Sequence, residues 1–197
     1  MEKILFGIAL IALTATACNN GNTEATTTAK NDSATATATT APEKSSADTG
    51  ANTATSMHEM VTQYLQIKNA LADDHGKDAA NAGNAFVASM AQMEKANLAP
   101  DKKKIWKDIA DDAKEMATHI GKSADRIEHQ REHFDMLSKD MYDLVKAFGA
   151  GQPLYNDFCP MYNHNKGASW LSESKEIKNP YMGKKQPACG SVKEEIK

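Results

Sequence analysis

Apolar residues recur at helical spacing in four successive stretches. In the first, Met57, Met60, Val61, Tyr64, Leu65 and Leu71, with Ile67 beside them, fall on one face, the i, i+3, i+4 recurrence of an amphipathic helix. Ser56, followed three residues later by Glu59, makes a capping box ahead of this run, so the pattern predicts a helix over 57–72. Asp73-Asp74-His75-Gly76 interrupts it. A second stripe of Ala79, Ala82, Phe86, Met90 and Met93 predicts a helix over 77–96, its alanines favouring helix and close approach of neighbours. Pro100 and Asp101 suit the first turn of a third helix, 100–120, with Ile105, Trp106, Ile109, Ala113, Met116 and Ile120 facing inward. Gly121 ends it and Ser123 can cap a fourth, 124–148, striped with Ile127, Phe134, Leu137, Met141, Leu144, Val145 and Phe148. Gly149, Gly151 and Pro153 stop that helix. Four such helices with short connections predict an all-α fold, a four-helix up-and-down bundle. From 149 to 197 no period is visible, and an irregular C-terminal segment packed on the bundle is expected. Segments of that length without regular structure are uncommon unless they carry function or are held by a cross-link or a metal.

Ahead of the helices the chain changes character. Residues 1–17 carry Lys3, an apolar run from Ile4 to Leu13 and small residues before Cys18, the pattern of an export signal too short to span a membrane stably. Ala15-Thr16-Ala17-Cys18 resembles a lipobox, so Cys18 is the expected lipidation site; an ordinary secreted protein with a spare thiol is the alternative. From Asn20 to Ser56, 11 Thr and 9 Ala fill 20 of 37 positions without one larger aliphatic or aromatic residue, too little apolar surface to offset the entropy of ordering. Residues 18–56 are therefore expected to be a disordered tether, which leaves 57–197 as the folded domain. The net charge of −3 is spread thinly, 3 Lys against 5 acidic residues over 1–56 and 20 cations against 21 acids beyond. No basic surface for nucleic acid is implied.

Candidate chemistry lies in Cys, Met and His. Cys159-Pro160-Met161 and Cys189 sit in the C-terminal segment, which also holds His164 and Met182. Soft sulfur donors select Cu(I), whereas an oxidising compartment favours a Cys159–Cys189 disulfide; spacing alone leans to the disulfide. His129 and His133 stand at i, i+4 on one helical face, a pair able to chelate a metal ion. His133 falls on the flank of the apolar stripe, His129 nearly opposite it, where a half-exposed surface role is the simpler reading, and His119 on a flank of the third helix. Arg131, between the two histidines, reads as a structural ion-pair partner. His58 and His75 read as surface residues. Haem attachment, zinc-protease, nucleophile-elbow and phosphate-loop motifs are absent from the sequence, so no enzyme is expected.

Taken together, His129-Gln130-Arg131-Glu132-His133-Phe134, Leu137-Ser138, Tyr155-x-x-Phe158-Cys159-Pro160-Met161, Gly167-Ala168-x-Trp170-Leu171-Ser172, Glu176-Ile177-x-Asn179-Pro180-Tyr181-x-Gly183 and Cys189-Gly190 resemble the bacterial domain of unknown function numbered three-three-four-seven, over nearly all of 57–197. That family occurs in exported lipoproteins and appended to periplasmic adaptors of copper-type efflux systems. The resemblance implies periplasmic handling of a soft metal without catalysis, and raises copper above the disulfide. It puts metal ligands at Cys159, Met161 and Cys189, with His133 or His119 as imidazole donor and His129 and Met182 as further candidates. Gln186 stands where the family has a Met, so Met182 is a possible substitute. The expected protein is a Cu(I)-binding lipoprotein, anchored through Cys18 to the outer membrane of a Gram-negative envelope and facing the periplasm. Its expected partners are that membrane and periplasmic metal-efflux components. No adaptor domain precedes the bundle, which points away from pump membership in cis. The alternative is a disulfide-closed bundle that serves as an interaction module without metal.

Overall fold

The computed structural model describes residues 47–197. The expected export signal, Cys18 and the expected tether up to residue 46 lie outside the described residues. Four long helices, α1 (Ala47–Ala72), α2 (Gly76–Glu94), α3 (Pro100–Gly121) and α4 (Ile127–Phe148), pack each on the next in chain order, and α4 returns to α1. This helical bundle follows from the stripes. Met57, Met60, Tyr64, Phe86, Met90, Ile120, Phe134, Leu137 and Met141 are all buried in one apolar cluster. Burial of apolar stripes against one another is the main favourable contribution to such a bundle.

The first helix starts at Ala47, ten residues before Met57 and inside the stretch expected as tether. Ser56 does not cap it: its hydroxyl donates to Asn52 O at 2.9 Å, a bond back along the helix. Extending a helix that packing has already nucleated is far cheaper than starting one, so an Ala-rich lead-in that could not order alone follows the packed turns.

The C-terminal third corrects the all-α expectation. Strands β1 (Leu154–Cys159), β2 (Ala168–Ser172) and β3 (Ser191–Ile196) form a small antiparallel sheet in the order β2-β1-β3. Asp157 faces Trp170 across β1 and β2, and Phe158 faces Ser191 across β1 and β3. Trp170 and Leu171 on β2 are buried, and β2 packs against α4. The β1–β2 connection turns through Asn163, His164 and Asn165, all at positive φ, a left-handed path that Asn tolerates better than most residues.

Arg131 locks this tail to the bundle. Although 2% exposed, it donates from Nε to Pro180 O at 2.8 Å and from Nη2 to Leu71 O at 2.9 Å. It also pairs with Asp74 through Nη2 and with Glu128 through Nη1. One guanidinium thus ties α4 to the α1–α2 turn and to the segment after β2, the structural role expected of it. Gly183, at φ +54°, lies so close that a Cβ would collide with Asp74 and Arg131.

Candidate metal centre

The α3–α4 turn brings together three imidazoles that are apart in sequence. Ser123, the expected cap, instead accepts from Arg126 Nη2 at 3.0 Å, and α4 begins at Ile127. Gln130, fully buried, donates from Nε2 to Ile120 O at 3.1 Å and to Gly76 O at 2.8 Å. That amide ties the first turn of α4 to the last turn of α3 and the start of α2. Gly76 permits the approach, since a Cβ there would stand 2.6 Å from Ala124 O. With the turn so held, His119 of α3 faces His129 and His133 of α4.

One ligand atom from each of the three histidines lies within 4.8 Å of the others. Nε2 of His133 is 3.1 Å from Nε2 of His129, the spacing that two nitrogen–metal bonds of about 2.0–2.1 Å span at an angle near 100°. The outer nitrogens have partners: His129 Nδ1 sits 3.2 Å from Glu132 Oε2, and His133 Nδ1 sits 3.3 Å from Met116 Sδ. The two Nε2 atoms stand at hydrogen-bond distance when one of them carries the proton; with a proton on each Nδ1 instead, both present lone pairs that a cation can bridge. Burial, and then the neighbouring His119 and His129, lower the pKa of His133. A neutral imidazole is the form that binds metal. The His119 and His133 rings stack at 4.4 Å with planes 14° apart, so His119 must tilt to aim a lone pair at a shared ion. With its side chain 45% exposed, it has room to do so.

The tail sulfurs are arranged otherwise than expected. Cys159 and Cys189 form a disulfide, their Cα atoms 5.7 Å apart, so neither offers a thiolate and the three-sulfur ligand set is not assembled. The oxidising reading of their spacing is the one the structure shows. Met161 stands 49% exposed beyond the bridge, and half-buried Met182 sets its N–H on Asn179 Oδ1 at 2.9 Å. His129, read from the helical wheel as a surface residue, belongs to the cluster. Met116, read only as core, supplies the sulfur that touches an imidazole. Its i−3 relation to His119 was a signal in plain view, hidden because Met116 also lies on the apolar stripe.

The donor set is three imidazoles with one thioether at its edge and two carboxylates, Glu132 and Glu115, beside the rings. Borderline and soft donors of this kind suit copper in either oxidation state. The fold and this cluster together define a helical domain with an imidazole centre at one inter-helix turn. Residues 60–153 match the model of a family described as protein of unknown function (DUF3347), the family that the sequence motifs resemble. The match spans the second half of α1 and all of α2, α3 and α4, and ends six residues before Cys159. The three histidines fall inside it and the disulfide outside. No curated protein and no solved structure matches the chain.

Proposed function

We propose that this protein binds copper through His119, His129 and His133 as a non-catalytic metal-handling component of the bacterial envelope. The observation that carries the reading is the 3.1 Å approach of two imidazole Nε2 atoms whose other nitrogens already have partners. The up-and-down course proposed for the four helices puts the centre at one end of the bundle, open to exchange with solvent or a carrier. Lipidation at Cys18, an outer-membrane anchor and periplasmic efflux components as partners belong to the same proposal. Among the described residues no helix is long and apolar enough to cross a membrane.

Competition against the cuprous chelator bicinchoninate tests it on the full chain. One equivalent of Cu(I) should leave the chelator. Replacing His129 and His133 together by Gln should weaken binding by about 100-fold or more, since two of three strong donors are lost. Undiminished affinity in that variant would refute the centre. A second reading, a disulfide-closed interaction module without metal, is favoured by the Cys159–Cys189 bridge. It expects no copper uptake by the unaltered chain.

A further inference from the structure

Most methionines of the helices are core filling: Met57, Met60, Met90, Met93 and Met141 are at most 1% exposed. Met136 is different. It sits on α4 three residues after His133 and is 41% exposed. With Met116, Asp112, Lys139 and Asp140 it lines a shallow groove of about 350 Å³ between α3 and α4. Met116 belongs to both places, since it lines the groove and its sulfur contacts His133 Nδ1 at 3.3 Å. A line of soft donors therefore runs from solvent, over Met136 and Met116, to the imidazoles.

We infer that this groove is the entry path of the centre and that its thioethers make Cu(I) the cargo. The inference rests on the copper reading of the three histidines and adds to it the route. A thioether is neutral, soft and weakly held by hard or borderline ions, so it passes Cu(I) along while giving Zn(II) little purchase. Asp112 and Asp140 place negative charge at the mouth, which raises the local cation concentration. The one cation there, Lys139, is drawn toward Asp135 Oδ1 at 3.1 Å. Transfer is ligand exchange alone: a copper–sulfur bond at Met136 gives way to one at Met116 and then to copper–nitrogen bonds, and no electron changes hands.

The test uses the full chain and its Met136→Leu variant, loaded in stopped flow from Cu(I)–bicinchoninate and, separately, from a Zn(II)–dye complex. Leu keeps the bulk and removes the sulfur. The variant should keep its equilibrium Cu(I) affinity and load Cu(I) about tenfold more slowly, the scale on which supporting groups affect metal sites, while its Zn(II) loading is unchanged. Met116→Leu, which also loses the contact with His133, should lower both Cu(I) rate and affinity. Equal Cu(I) rates for the unaltered chain and Met136→Leu would overturn the path, as would equal slowing with both metals, and either result leaves the histidine centre standing. A chain that takes up no Cu(I) would overturn the centre itself.

Discussion

Asp157 is fully buried on β1, and among the described residues neither carboxylate oxygen has a hydrogen-bond partner. Across the strand pair the buried indole N–H of Trp170 is likewise unpartnered. Burial pushes the Asp157 carboxyl up to about 7; Lys68 of α1 opposes the rise and Glu173 adds to it. Lys68 is itself engaged, donating to Glu173 at 2.8 Å while Asn69 holds the other oxygen of that carboxylate. An unfolded Asp titrates near about 3.9. Between about pH 4 and 7 the folded chain therefore binds more protons at this site, and the contribution of Asp157 to stability falls as pH rises through that window. Asp157→Asn keeps the shape of the neutral acid. In urea denaturation the variant should gain on the unaltered protein between about pH 5 and pH 8; a gap independent of pH would refute the assignment.

Arg131 shows how one side chain joins elements that are weak alone. A three-stranded sheet of five- and six-residue strands has little independent stability, and the guanidinium holds the segment beyond β2 to α4 and to the α1–α2 turn. Arg131→Leu would leave the Leu71 and Pro180 carbonyls without their donor and Asp74 without its cation. A loss of about 3–5 kcal/mol is expected, read by chemical denaturation, with the tail becoming protease-sensitive first. The helices were legible because their stripes are long and regular, and every residue placed on the faces of the first two is buried. The strands were not legible, since β3 is Ser-Val-Lys-Glu-Glu-Ile and buries only Ile196, so it carries no alternation and exists through pairing with β1. The i, i+4 histidine pair could be read from a helical wheel. His119 was a candidate donor as well, but that all three rings converge depends on the α3–α4 turn that Gln130 and Gly76 close. The disulfide was favoured by spacing, and it is the pairing that Cys159 and Cys189 adopt.

The molecule divides its tasks between its parts: the bundle carries the imidazoles and the bridge fastens the sheet. Closing a loop between cysteines 30 residues apart should stabilise the fold by about 4 kcal/mol in the chain-entropy model. Replacing both Cys159 and Cys189 by Ser should accordingly lower the midpoint of guanidinium denaturation while leaving Cu(I) affinity unchanged in the bicinchoninate competition. Loss of affinity in a variant that remains folded would return the cysteines to the metal site. The strand order has an effect on association as well. Among the described residues β3 pairs with β1 on one side and has no strand partner on the other, and it carries Lys193, Glu194 and Glu195. Charges along such a strand discourage a neighbouring molecule from docking a strand there, so a sequence poor in strand-forming signals doubles as a guard against fibrous self-assembly.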